Sequence, residues 1–319
     1  MAELEPQDSG ENWERRALEK VALAAITEQR RARYWGIFFK SLGFLYLIVI
    51  LFIGMGWIGK KESRPDKHTA MVELQGVIAP DSRASADNIV SGLQEAFKDK
   101  GTQGVILRIN SPGGSPVQAG HINDEIRRLR EKYPKIPLYA VIEDICASGG
   151  YYVAVAADRI YVDKASIVGS IGVLMDSFGF TGTMEKLGVE RRLLTAGDNK
   201  GFLDPFSPVV ESQQVHAKQM LEEIHNQFIT VVKNGRGDRL KDSPDLFSGL
   251  VWVGQKSIEL GLADELGGVD YVAREVVKAE DIVDFTPREN VAERLAKRFG
   301  AGVGEALGLL GLTPNLKVR

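Results

Sequence analysis

GVILRINSPGGS, residues 104–115, runs from a buried strand into a tight glycine turn. GVILRI (104–109) is a short, almost wholly apolar run, the pattern of a strand covered on both faces. SPGGS (111–115) follows it, and residues 116–132 read as a helix. The same strand, turn and helix order recurs on either side. AMVEL (70–74) reads as a strand, and Ser85 or Asp87 caps a helix with Ile89, Val90, Leu93 and Phe97 on one face. PLYAVI (137–142) reads as the next strand, and EDICASGG leads into a short apolar helix through Ala157. RIYVD (159–163), IGVLM (171–175) and RRLL (191–194) are expected as further strands, and residues 208–233 as a long amphipathic helix. Alternating strands and helices predict a layered α/β fold.

Composition removes several classes of function. The 319 residues carry 40 basic and 43 acidic side chains, a net charge of −3 that gives nucleic acid no electrostatic footprint. Cys146 is the single cysteine, which excludes an intrachain disulfide and any multi-cysteine metal site. His68, His121, His216 and His225 show no H-E-x-x-H spacing. No metal and no cofactor are expected.

Ser41 to Gly59 reads SLGFLYLIVILFIGMGWIG without a charge. In a helix such a run rises ~28 Å, about the thickness of a bilayer core. Trp35 and Trp57 lie near its ends, as interface anchors do, and Lys60 and Lys61 stop it. Direction is harder to read. Arg30, Arg31, Arg33 and Lys40 on one flank balance Lys60, Lys61, Arg64 and Lys67 on the other. Arg15, Arg16 and Lys20 add a slight lean toward a cytoplasmic N-terminus. Before the run, Trp13 to Arg33 reads as a separate short interfacial helix. The chain is thus divided into an N-terminal segment (1–40), an anchor (41–59), a linker (60–69), a main domain (70–285) and a C-terminal helix and tail (286–319).

Ser148 follows an apolar strand and opens Ser148-Gly149-Gly150-Tyr151-Tyr152. A serine there meets backbone N–H groups that a helix leaves unsatisfied, and these stabilise an oxyanion. The bland alternative is a plain N-cap serine. Asn110-Ser111-Pro112-Gly113-Gly114 ends the preceding strand, and neighbouring parallel strands deliver their turns to one edge. Gly113–Gly114 and Ser148–Gly149 are therefore expected side by side, the geometry acyl transfer needs. Taken alone, SPGG is equally a type II turn. A serine hydroxyl also requires a base. None of the histidines is well placed: His121 reads as a surface or core residue, and His216 and His225 as a solvated face. A lysine serves only when desolvated, because at the ordinary pKa of about 10.4 almost none of it is neutral. Lys200, in the glycine-bounded loop Ala196-Gly197-Asp198-Asn199-Lys200-Gly201-Phe202, fits best, with Lys164 in reserve.

SPGG, ASGGYYVAVAAD, GSIGV, KLGVE and AGxxKxxxDPF occur in this order. Together they resemble the signal peptide peptidase A family of bacterial Ser-Lys proteases, over about residues 68–285. The resemblance implies the ClpP/crotonase-like spiral of β-β-α units, preceded by one transmembrane helix. It implies Ser148 as nucleophile, Lys200 as general base and Ser170 as the residue that holds the lysine. The oxyanion and substrate-binding positions fall on Gly113, Gly114, Gly149 and Tyr151. Family members cleave leftover signal peptides within or near the membrane, so peptide substrates and membrane lipid are the expected partners. The implied place is the bacterial inner membrane, single-pass, with the catalytic domain extracytoplasmic. One domain copy matches the short family form, which assembles into a homo-oligomeric ring with active sites shared between neighbours. Two competitors stand beside this. A crotonase-type acyl-CoA enzyme shares the paired N–H groups but needs no Ser-Lys pair, and a non-catalytic membrane scaffold tolerates loss of both residues.

Overall fold

The computed structural model describes residues 11–54 and 65–287. They fall into two units, one containing the N-terminal helix and one spanning Ser63–Pro287. Residues 55–59 of the expected anchor, 60–64 of the linker and 288–319 of the expected tail lie outside the described residues.

Helix α1 runs unbroken from Glu11 to Gly54. The separate interfacial helix expected over Trp13–Arg33 is instead continuous with the apolar run. No proline interrupts residues 11–54, and Gly36 and Gly43 sit in open space where nothing bends the helix. Within it, Arg15–Phe52 is long and apolar enough to cross a membrane.

The second unit is an α/β layer structure. In chain order it begins β1 (His68–Gln75), α2 (Ala86–Lys98), β2 (Thr102–Ser111), α3 (Pro116–Lys132), β3 (Leu138–Ala147) and α4 (Gly149–Ala154). Then come β4 (Arg159–Val162), β5 (Ile167–Gly169), α5 (Thr181–Lys186) and α6 (Glu211–Arg236). It closes with β6 (Val251–Val253), α7 (Gly254–Glu259), β7 (Glu265–Leu266) and, after a π-helical turn at Val272–Val277, β8 (Ile282–Asp284). Local signals start the helices. Ser85 caps α2 by accepting from Asn88 N–H, and Ser115 caps α3 by accepting from Gln118 N–H, with Pro116 in the first turn.

The strands form one sheet in the order β6-β5-β3-β2-β1-β8, parallel except for β5 with β6. β3 forks. Its first half, Tyr139–Val141, pairs with β4, and its second half, Ile145–Ala147, pairs with β5. The main core lies on one face of the sheet. There Val72, Leu107 and Ile142 meet Ile89 and Leu93 of α2, Ile122 and Ile126 of α3 and Val153 of α4. On the other face a smaller cluster of Ile106, Val141, Tyr161, Val272 and Ala273 covers only part of the sheet. Beyond it Arg108 reaches out to Glu73 and Glu143 from the neighbouring strands.

The strands expected at IGVLM and RRLL do not form. Between β5 and α6 the chain holds α5 and otherwise irregular backbone, and nearly all of residues 173–200 are exposed. An extended segment becomes a strand only when a neighbour accepts its hydrogen bonds. Among the described residues these two stretches have no strand beside them.

Candidate active site

The pairing of β3 with β2 and with β5 brings three turns to one edge. Ser111 is in register with Cys146, and Ala147 with Gly169. Asn110–Gly114, Ser148–Gly150 and Gly169–Gly172 therefore converge.

Ser148 has φ +52° and ψ −122°, a backbone conformation that is strained for any residue but glycine. Neighbours hold it there. Its N–H donates to Gly169 O at 2.9 Å, and its carbonyl accepts from Tyr152 N–H at 2.9 Å. Its hydroxyl makes no capping hydrogen bond, which removes the plain N-cap alternative.

The two glycine turns lie backbone against backbone. A Cβ on Gly113 would stand 2.7 Å from Ala147 O, Gly149 N and Ser148 Cβ, and one on Gly149 would stand 3.3 Å from Gly114 N. At Gly113, with φ +98° as well, only glycine permits this approach. The three expected donors are not equivalent. Gly113 N–H is taken by Ser111 Oγ at 3.1 Å, whereas Gly114 N–H and Gly149 N–H have no acceptor among the described residues. Two free N–H groups beside an unbonded hydroxyl suit stabilisation of a developing oxyanion.

Ser170 sits at the third turn with φ +52°, its N–H donating to Leu250 O at 2.7 Å. His225 of α6 donates Nε2–H to Ile171 O at 3.1 Å, so α6 holds this turn. Sequence placed His225 on a solvated face. It is half-buried, and no local pattern announces a contact made across more than fifty residues of chain.

Tyr151 does not line a pocket. It is wholly buried, its hydroxyl donates to Leu262 O at 2.8 Å, and burial pushes its pKa up. Successive residues of a helix point about 100° apart, so α4 turns Tyr151 onto the core and leaves the neighbouring Tyr152 half-buried against Phe228 of α6. Cys146 is likewise buried in the core, its thiol pushed up by burial.

Lys200 lies exposed in a loop with its own internal framework. Phe180 N–H donates to Pro205 O at 2.7 Å, Phe180 stacks on Phe206, and Arg191 pairs with Asp204 at 2.9 Å. Among the described residues no hydrogen bond or ion pair involves the Lys200 amine. Lys164 is exposed as well. A separate cleft on the second face of the sheet, bordered by Met71, Arg108, Glu143, Asp163, Lys164 and Asp270, contains this reserve lysine and none of the other expected site residues.

Comparison with known proteins places the chain among its relatives. Residues 130–283 match the model of peptidase family S49. A 175-residue stretch is 49% identical to "Na(+)/H(+) antiporter NhaA" of Brucella melitensis biotype 1, covering 55% of this chain and 24% of that protein. The chain thus spans about a quarter of that relative's length. Over 234 residues it is 26% identical to "Putative signal peptide peptidase SppA" of Enterococcus faecium, covering 71% of this chain and 67% of the other. Over 240 residues it is 30% identical to "Putative protease MJ0651" of Methanocaldococcus jannaschii, covering 72% of this chain and 76% of the other. With the family model matched through β3 to β8 and a relative aligned over three-quarters of its length, the chain belongs to peptidase family S49.

Proposed function

We propose that this chain is a membrane-anchored serine endopeptidase that uses a Ser-Lys dyad, Ser148 as nucleophile and Lys200 as general base. The observation that carries the proposal is Ser148 itself: a strained serine with an unbonded hydroxyl, flanked by the free N–H groups of Gly114 and Gly149. Ser148 Oγ attacks the scissile carbonyl while its proton passes to the neutral amine of Lys200. Gly114 and Gly149 N–H take the negative charge on the carbonyl oxygen. The lysine ammonium then protonates the leaving amine, and water repeats the sequence on the acyl-enzyme. Ser170, on the adjacent turn, holds the lysine.

A lysine acts as a base only when removed from water. Lys200 is exposed in the single chain, so a second subunit supplies its cover and its serine. The site is then shared around a closed ring of head-to-tail contacts. The substrates are remnant signal peptides and other membrane-associated peptides after their release, bound as extended strands at the sheet edge. α1 anchors the chain in the inner membrane, with the peptidase domain on the extracytoplasmic side.

The test is turnover of a signal-peptide-like substrate by the full chain in detergent. Wild type is expected to cleave it and to react with a fluorophosphonate at Ser148. Ser148→Ala loses both. Lys200→Arg is inactive at every accessible pH, because a guanidinium stays protonated. Cleavage by Ser148→Ala sinks the nucleophile assignment, and cleavage by Lys200→Arg moves the base elsewhere.

A further inference from the structure

Ser111 ends β2 and is wholly buried. Its hydroxyl has two partners. It donates to Gly76 O at 2.6 Å and accepts from Gly113 N–H at 3.1 Å. Around it, the residues after β1 are laced to the glycine turn by backbone alone. Gly76 N–H donates to Asn110 O at 2.9 Å, Ile78 N–H to Gly113 O at 2.8 Å, and Ser115 N–H to Ile78 O at 2.8 Å. Ser111 adds a side chain to this lacing at the point where the backbone is least constrained. Gly113 and Gly114 have φ +98° and +147°, so the turn can swivel about both glycines, and the peptide between them is held through Gly113 O by Ile78 N–H.

We propose that Ser111 is a positioning residue for the acyl-transfer step: by taking up the Gly113 N–H, its hydroxyl aims the next N–H, that of Gly114, at the substrate carbonyl. A buried N–H without an acceptor turns until it finds one, and turning the Pro112–Gly113 peptide that carries this N–H would displace Gly113, from which the Gly114 N–H is hung. Ser111 also touches the other half of the site. A Cβ on Gly150 would stand 3.1 Å from Ser111 O and 3.6 Å from Ser111 Oγ, so the strand end carrying this hydroxyl packs directly on α4, which starts at the nucleophile. The strand end that carries the hydroxyl therefore lies against both donor turns. Nothing in this role touches the base, the reacting atoms or the substrate. The proposal rests on the reading of Ser148 as nucleophile and of Gly114 as oxyanion donor.

The experiment uses the full chain in detergent, a quenched signal-peptide-like peptide as substrate, and the variants Ser111→Ala, Ser111→Thr and Ser148→Ala. Ser111→Ala is expected to lower kcat about tenfold to a hundredfold, because a donor is misaimed but not removed. KM is expected to change less than about twofold, since the interaction matters only in the transition state. The pH profile of kcat keeps its shape, and fluorophosphonate labelling of Ser148 slows in proportion to kcat. Ser111→Thr, which keeps the hydroxyl, recovers most of the loss; if it fails to fold, the labelling rate of Ser111→Ala decides. A folded Ser111→Ala with wild-type kcat, a loss confined to KM, or a displaced pH profile overturns the proposal while leaving Ser148 in place. Activity in Ser148→Ala overturns the catalytic reading itself, and this proposal with it.

Discussion

At Ser148 and Ser170 the backbone takes φ +52°, and among the described residues the other two non-glycine positions with positive φ are Leu203, in the Lys200 loop, and Lys278. Each such conformation costs about 1–3 kcal/mol and persists only where the surroundings enforce it, which is why such residues concentrate at functional sites. Glycine neighbours pointed to Ser148 and the family resemblance to Ser170, but the strain itself depends on hydrogen bonds to Gly169 and Leu250 that no local pattern specifies. Gly149 lends itself to a clean substitution, because its φ is not in the left-handed region. Gly149→Ala is expected to fold normally and to lose about a hundredfold in kcat, since the new methyl stands 3.3 Å from Gly114 N, where the oxyanion must sit. Steady-state kinetics alongside thermal unfolding checks this, and a folded Gly149→Ala of wild-type kcat contradicts it. Tyr151 shows where residue reading stops. SGGYY placed an aromatic next to the nucleophile, but only the packing of α4 shows that Tyr151 points inward to Leu262.

Among the elements, the strands and helices up to β4 were legible because each carries its own signal: an apolar run, a cap, a proline at the first helical turn. α3 begins and ends where the spacing predicts, Pro116–Lys132. The stretches 171–175 and 191–194 carry a strand-like composition but no partner, and pairing is a property of two segments. The C-terminal end of α6 is fixed by a contact equally hidden from sequence. Arg236 is buried, and its guanidinium donates to Asp264 at 2.8 and 2.9 Å and to Gly261 O at 2.8 Å. Burial alone would raise the Asp264 carboxyl, but the hydrogen bonds and charge of Arg236, with Ile160 N–H and Arg239, outweigh it. They hold it below the ordinary aspartate value of 3.8. A depressed carboxyl contributes stability that is present above its unfolded value and is lost as pH falls through the folded one. Arg236→Leu is therefore expected to lose about 3 kcal/mol at pH 7, because Asp264 keeps only the more exposed Arg239 and the Ile160 N–H as partners. The gap to wild type narrows as pH drops below the ordinary aspartate value, and urea denaturation at neutral and acid pH reads both numbers. An unchanged gap at acid pH contradicts the assignment to Asp264.

For the whole molecule, the segment between β5 and α6 presents Leu174, Phe178, Leu187, Leu194 and Val209 to solvent in the single chain, beside the exposed Lys200. Apolar surface on this scale marks an interaction site, and the shared active site proposed above would use it. Mixing distinguishes the two cases. Ser148→Ala and Lys200→Ala chains, co-assembled in equal amounts, are expected to recover about a quarter of wild-type activity if each site takes its serine and lysine from different chains. Zero recovery, with co-assembly shown separately, means the site is built within one chain. The α/β class and the anchor were legible in composition and periodicity, whereas the forked β3 was not, since nothing in its residues says that its halves serve different neighbours. The sheet has one further property, which concerns time. β1 is closed on its outer side by β8, and Glu73 N–H bonds to Thr286 Oγ1 across 213 residues of chain. At ribosomal speeds of about 5–20 residues per second, that edge stays open for roughly 10–40 s after β1 leaves the ribosome. Throughout that interval a nascent chain carries an unpaired strand able to capture any other, so the last strand of the domain is also the step that ends its exposure to misassembly.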